Sequence, residues 1–357
     1  MFLEKLSNAR GVSGDESAVR ALVAEQLQKY VDEYRVDAMG NLIARKVASK
    51  SASKVASKQA ARQSNSRLKV LIAAHMDEVG LLVTHLDREG FVHFDKVGGI
   101  DDRILPSKAV LIGSARVPGV IGFKPRHRST KTERKQVIAH DALCIDIGAR
   151  SREDAARVVS PGDYVTFDTI FSRFGDNCVR GKALDDRAGC ALLLELVRDS
   201  YPFELYAAFT TQEEIGLRGA RVAGYSVAPD IALVLEATVC DDSPKPREQS
   251  PTTRLGAGPA LTLADRKLLA DKRLVRLFAE TAREHKIPFQ FKQPLVGSTD
   301  AGELHRTRAG VPSAVVALPA RYIHSPAAII SLDDFNNALR LVRATLPKLA
   351  NGIPNHG

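Results

Sequence analysis

Five short runs of this sequence put acidic or imidazole side chains where a buried strand ends or a helix begins. The first is Ala73-Ala74-His75-Met76-Asp77-Glu78-Val79-Gly80. His75 leaves an apolar run, and Asp77, two residues on, would point the same way in an extended chain. A carboxylate beside an imidazole can accept one ring N–H and leave the other nitrogen for a metal ion. The second run, Gly181 to Gly189, opens a helix with Asp185-Asp186, acids that the helix dipole favours in any case. The third, Thr210 to Gly216, sets Glu213 beside Glu214 at the mouth of a strand, which is costly unless a cation neutralises one of them. Glu236 ends the apolar run 231–235, and His324 lies in Tyr322-Ile323-His324-Ser325-Pro326, after a further strand. Each run alone has an ordinary explanation, a polar strand end or a helix cap. Together they bring two histidines and at least three carboxylates to one strand edge of an α/β sheet, where ligands bind in such folds.

This set suits two divalent ions sharing one carboxylate. Such ions, roughly 3.5–4 Å apart, can ionise a water and stabilise the oxyanion of a tetrahedral intermediate. A spare carboxylate must then take the proton from that water and pass it to the leaving amine. Glu213 and Glu214 permit that division, because neighbours in an extended segment face opposite ways. Carboxylates with imidazole suit zinc, cobalt or manganese. His85, His93, His127, His140, His285, His305 and His356 lack a comparable carboxylate motif and read as surface or structural residues. Cys144, Cys178, Cys190 and Cys240 are far apart with no C-x-x-C pair, as reduced thiols in a cytoplasmic protein would be.

The elements that must hold these residues can be read from the same rows. Ser13-Gly14-Asp15-Glu16 has the form of a capping box, followed by a helix with Val19, Leu22, Val23, Leu27 and Val31 on one face. Residues 34–47 read as a hairpin turning at Met39-Gly40-Asn41. Residues 68–74 read as a strand covered on both faces, because from Val70 its apolar residues run continuously rather than alternating. Short β-rich runs separated by Gly, Pro and Asp fill about 80–172. Beyond them, helices at 186–199, 266–285 and 332–349 alternate with strands at 203–210, 231–235 and 311–317. The pattern is that of a layered α/β domain interrupted by a small β-rich domain or barrel. At 357 residues, two domains are the natural division. No apolar run is long enough to cross a bilayer, and the first residues lack the apolar stretch of a secretory signal.

The net charge of +9 is local. Residues 45–69 hold eight basic residues and no acid, and 124–135 hold six with one acid, so the remainder of the chain is at −4. No aromatic residues interleave with these charges as stacking on bases would require, so nucleic acid is not the expected partner. Within the first segment, 47–66 repeats Val-Ala-Ser-Lys and lacks large apolar residues, and it reads as a mobile low-complexity basic insertion.

Taken in order, AAHMDEVG, KALDDRAG, TTQEEIGLRGA, GSTDAG and RYIHSP resemble the TET-type family of dinuclear metallo-aminopeptidases, the glutamyl-aminopeptidase and deblocking-aminopeptidase group, some of whose members carry endoglucanase labels. SGDE, DAMGNLIA, GVIGFKPRH, IDIGARSREDA and GPAL are similar to it as well, so the likeness spans the chain apart from 47–66. The resemblance implies a cytoplasmic exopeptidase that trims free N-termini from short peptides with two divalent metal ions per subunit. It implies an α/β catalytic domain of 1–79 and 173–357, interrupted at 80–172 by a β-rich, PDZ-like dimerisation domain, and dimers that assemble into a hollow tetrahedral dodecamer. Carried over by residue, it makes His75 a ligand of one metal, oriented by Asp77, and Asp185 the bridging carboxylate. Glu213 becomes the general base, Glu214 and His324 ligands of the second metal, and Glu236 a ligand of the first. Glu236 stands where the family often has Asp, and Asp300 in GSTDAG reads as pocket wall with no assigned role. The competing expectations are a related dinuclear amidohydrolase (a deacylase or carboxypeptidase), a glycoside hydrolase, in whose chemistry the histidines have no place, and an anion-binding protein using the basic segments.

Overall fold

The computed structural model describes residues 2–49, 68–242, 253–293 and 296–353. Beyond residue 49, the insertion expected at 47–66 lies outside the described residues, as does His356. The first strands are β1 (Glu33–Val36), β2 (Leu42–Lys46) and β3 (Lys69–His75). Then come β4 (Gly80–Leu86), β5 (Val92–Val97), β6 (Ala109–Ile112), β7 (Val117–Gly122), β8 (Cys144–Asp146) and β9 (Tyr164–Phe167). The rest are β10 (Ser172–Phe174), β11 (Cys178–Gly181), β12 (Glu204–Thr210), β13 (Ile231–Cys240), β14 (Ala260–Leu261), β15 (Gln290–Phe291), β16 (Ser313–Arg321) and β17 (Ala328–Ser331). The α-helices are α1 (Phe2–Asn8), α2 (Ser17–Leu27), α3 (Arg152–Ala155), α4 (Leu184–Leu196), α5 (Arg218–Val227), α6 (Lys272–Glu284), α7 (Ala301–Leu304) and α8 (Leu332–Thr345).

Strands β4 to β9 close into a barrel in the order β4-β5-β8-β7-β6-β9, filled by Leu81, Val83, Val92, Phe94, Val110, Ile112, Ile121, Ile145, Val165 and Phe167. All other strands form one sheet, β1-β2-β12-β3-β13-β16-β17-β11-β10, from which β14 and β15 branch at β16. The fold is therefore a layered α/β unit with an inserted barrel. The four central strands, β12, β3, β13 and β16, are parallel. Both faces of β3 are covered, which explains its continuous apolar run. Val70, Ile72 and Ala74 pack with α2, α4 and α8, whereas Leu71 and Ala73 pack with α5 and α7.

The structure corrects four sequence expectations. Ser13 caps no helix. Glu16 precedes α2 without a side-chain cap, and the Ser13 hydroxyl is instead drawn to the buried Asp77 carboxylate, 2.6 Å away. Glu236 does not end its strand, because β13 continues to Cys240 alongside β16, which itself runs past residue 317 to Arg321 through the pair Cys240↔Arg321. The helix expected from 266 begins at Lys272, since Asp265 accepts the Lys267 and Leu268 amides in a local turn and Asp271 caps Arg273. The helix expected to reach 349 stops at Thr345 and tightens to a 3₁₀ turn at Pro347.

Candidate metal centre

Parallel register sets the level of the site. Thr210 pairs with His75, and Glu236 and His75 both stand two positions past the pair Val234↔Ala73. His75 is the last residue of β3 and is 1% exposed. Its Nδ1 lies 3.1 Å from the Asp77 carbonyl and 3.4 Å from Asp77 Oδ1. Its Nε2 lies 3.3 Å from Asp185 Oδ1 and 3.2 Å from Glu236 Oε1. On the other side, His324 Nε2 is 3.3 Å from Asp185 Oδ2 and 3.2 Å from Glu214 Oε2, with Nδ1 3.1 Å from the Gly99 carbonyl. Asp185 thus stands between two imidazoles and presents one oxygen to each.

Three sets of groups converge closely enough to share an ion: His75, Asp185 and Glu236; Asp185, Glu214 and His324; and His75, Glu213 and Glu214. All seven residues singled out from the sequence meet here. No cysteine belongs to these sets among the described residues, and the Cys190 thiol donates to the His75 carbonyl. The other described histidines lie outside these sets. His93 does have a carboxylate partner, Asp87 at 3.2 Å, on the barrel, where it stacks on His85.

The two glutamates do not lie in an extended segment, contrary to expectation. β12 stops at Thr210, Gln212 adopts a left-handed conformation (φ 55°), and the turn directs both carboxylates into the same centre. Asp77 holds that turn by accepting the Glu213 amide at 3.0 Å and the Glu214 amide at 3.1 Å. Asn41, from the β1–β2 hairpin, accepts the Thr211 amide and hydroxyl while donating to Gly219 O and Asp37. Asp186 accepts the Gly189 amide and the His75 amide, so it joins the start of α4 to the end of β3. Arg187, wholly buried, donates to Met76 O and to carbonyls of the α1 region, beside the Lys182–Glu78 ion pair. Sequence reasoning missed Ser13, Asn41 and Arg187. Asp300, expected in the pocket wall, is 1% exposed and accepts the Thr210 hydroxyl, while the preceding Gly297, Ser298 and Thr299 line the cavity.

The electrostatics call for cations. Burial drives the Glu213 carboxyl well above its usual range and pushes Glu214 and Glu236 up to about 8. Burial disfavours imidazolium, but Glu236, Asp185 and Asp77 outweigh it and hold His75 well above the usual range. Against the same burial, Asp185 and Glu214 hold His324 up at about 9. Asp185 Oδ1 and Glu236 Oε2 are buried with no hydrogen-bond partner. Buried acceptors without donors are uncommon and costly, and divalent ions would neutralise the carboxylates gathered in this centre. Two imidazole nitrogens and carboxylate oxygens, one carboxylate facing both sides, fit a pair of such ions.

The sequence profile of the M42 glutamyl aminopeptidase family matches residues 55–341. The chain is 30% identical over 357 residues to lysyl aminopeptidase of Pyrococcus furiosus, covering 98% of this chain and 96% of that one. The solved TET aminopeptidase of a marine sediment Thaumarchaeota archaeon superposes with a TM-score of 0.88 at 35% identity, covering 98% of this chain and 96% of the other. The TET1 peptidase of Pyrococcus horikoshii, which can assemble into a tetrahedron or a large octahedral shell, superposes at 0.83 with 31% identity over 97% and 98%. This chain belongs to the M42 glutamyl aminopeptidase family.

Proposed function

We propose that this chain is an aminopeptidase that removes N-terminal residues from short peptides at a dinuclear metal centre. Family membership supports peptide-bond hydrolysis. The observation that carries the dinuclear reading is Asp185, whose two oxygens each face a different histidine at 3.3 Å. His75, Asp185 and Glu236 would hold one ion, and Asp185, Glu214 and His324 the other, with zinc, cobalt or manganese suited to the donors. Once bound, the ions would supply Lewis acidity, acidify the attacking water and stabilise the developing oxyanion. Glu213, 9% exposed and bonded to no cation among the described residues, would take the proton from that water and deliver it to the leaving amine. Asp77 would fix the His75 ring through Nδ1, leaving Nε2 directed at Asp185 and Glu236. The histidine between carboxylates argues for this chemistry over glycoside hydrolysis. The subunits would form dimers through the barrel and assemble into a dodecameric shell; a relative can assemble into a tetrahedron or a large octahedral shell.

The test is removal and return of metal. Chelator-stripped enzyme should lose activity on aminoacyl-nitroanilides, and two equivalents of zinc, cobalt or manganese per chain should restore it. A peptide with a free N-terminus should be cut where its N-acetylated form is not, and C-terminal amidation should not block cleavage. Full activity in metal-free protein, or cleavage of the acetylated peptide, would discard the proposal.

A further inference from the structure

We propose that His85, His93 and Cys144 form a further metal site, on the outer face of the barrel, which takes one zinc-class ion and staples β5 to β8. The proposal is independent of the aminopeptidase reading. Strand alternation assembles the row. Val92, Phe94 and Ile145 fill the barrel core, so His93 and Cys144 face outward. The antiparallel pair Val92↔Ile145 joins β5 to β8, and the next step of that register sets His93 across from Cys144. On the other side of β5, His93 pairs with His85, which a register shift between Val83 and His85 brings to the outer face. Bulges of this kind re-aim a side chain. On β7 the residue opposite Cys144 is Gly122, where a Cβ would meet only the Cys144 carbonyl at 3.6 Å among the described residues. No side chain crowds the thiol from that strand. Side chains directly opposed on neighbouring strands stand about 4.5–5.5 Å apart at Cβ, a span that an ion bridges at about 2.0–2.3 Å from nitrogen and sulfur.

Polar contacts prepare the donors. Asp87 Oδ2 lies 3.2 Å from His93 Nε2, while Oδ1 accepts the Phe91 amide at 2.9 Å. A carboxylate on one ring nitrogen orients an imidazole so that the other nitrogen meets a metal. His85 Nδ1 lies 3.2 Å from the Thr84 hydroxyl, which leaves its Nε2 free to ligate. The two rings stack with centroids 4.3 Å apart and planes 5° apart. Stacked rings do not aim their nitrogens at one point, so binding turns one ring about χ2, a broad torsion in histidine. Burial, then Asp87 and Asp146, push the Cys144 thiol above its usual range, so an ion must displace its proton. Two imidazoles and a thiol select zinc or cobalt over manganese. The position gives the ion a purpose. A single ladder pair joins β5 to β8, fewer than at any other seam of the barrel. An ion held by His93 and Cys144 crosses the barrel where the backbone holds it least. The competing role of the row is a stacked pair of neutral rings with no ligand.

The experiment titrates cobalt into wild type, Cys144→Ser, Cys178→Ser, His93→Gln and Asp87→Asn. Wild type should take up one cobalt per chain more than Cys144→Ser. It should also gain a sulfur-to-cobalt charge-transfer band in the near ultraviolet, which Cys144→Ser lacks and Cys178→Ser keeps. The three ion-sized sets of the metal centre include no cysteine, so that centre does not give the band. Asp87→Asn should weaken the band-forming cobalt by roughly 10–100-fold, as loss of an orienting partner does, and His93→Gln, which removes a ligand, by more. Activity on leucyl-nitroanilide should be unchanged in all four variants. Two measurements on wild type alone need no variant to fold. Zinc should shield Cys144 from alkylation, read by peptide mass, and should slow amide hydrogen exchange in β5 and β8. Manganese should do neither. No band in wild type, a band that survives Cys144→Ser, or alkylation of Cys144 indifferent to zinc would overturn the site. Exchange in β5 and β8 indifferent to zinc would overturn the staple.

Discussion

Asp77 gathers more of this centre than a histidine partner needs to. Its carboxylate accepts the Ser13 hydroxyl and the amides of both Glu213 and Glu214, and it lies against His75. The turn that aims the two glutamates is therefore folded onto one buried group. The different partners of the two glutamates then give a sharp expectation. Glu214 contacts His324 within a ligand set that includes Asp185, whereas Glu213 is paired with no cation among the described residues. Glu214→Gln should lower metal content. Glu213→Gln should retain both ions and lose roughly 10²–10⁴-fold in rate, mainly in kcat, since proton transfer counts in the transition state more than in binding. Metal analysis and steady-state kinetics on both variants check this, and a Glu213→Gln enzyme near wild-type rate would remove Glu213 from the role of base. That His75, Asp77 and the glutamate pair come together at one strand edge was legible in the sequence, because residue type and the place of each run at a strand end carry it. Ser13 was not, because S-x-x-E is a local pattern and what decided its partner was a buried carboxylate 64 positions away.

At the scale of elements, alternation and apolar runs placed the strands well, but they said nothing of the contacts between loops. The hairpin turning at Met39-Gly40-Asn41 was expected, yet its use was hidden. Asn41 is wholly buried and bridges Asp37, Thr211 and Gly219. A Cβ on Gly219 would come within 2.3 Å of the Asn41 side-chain oxygen, so the glycine is required by close approach. The hairpin is thus a strut under the glutamate turn. Asn41→Ala should leave the Thr211 amide and the Gly219 carbonyl without their partner. The expected cost is about 2–4 kcal/mol, several unmade buried hydrogen bonds at about 1 kcal/mol or more each. The denaturation midpoint should fall accordingly, and kcat should fall more than KM rises, because the turn positions Glu213. A variant as stable and as active as wild type would show that the hairpin bears none of that load. Strand ends were less legible than strand cores. β13 and β16 extend one another past the apolar run, so their length depends on a partner far away in sequence.

The whole molecule raises the question of assembly, on which composition is silent and for which only the family resemblance spoke. The barrel supplies no member of the three ion-sized sets, although Gly99, between β5 and β6, accepts from His324. Its outer surface does carry exposed apolar side chains: Val120 at 49%, Phe123 at 44%, Val137 at 55% and Val158 at 53%. Scattered apolar residues are ordinary on a surface, but Val120 lies on β7 and Phe123 directly follows that strand, where a contiguous patch would favour a partner. A second copy of the barrel burying that patch would make an isologous dimer, the commonest closed contact between identical subunits. Replacing Val120 and Phe123 with Asp would place two like charges at the centre of such a contact, close to their counterparts across the two-fold axis. Particle mass measured by light scattering or sedimentation should then drop to that of smaller species, while circular dichroism keeps the native spectrum because neither residue belongs to the barrel core. Charged replacements at Val222 and Tyr225, exposed on α5 on the catalytic layer, serve as the control. If the α5 variant dissociates and the β7 variant keeps its full mass, the subunits meet through the catalytic layer and the barrel must serve another purpose.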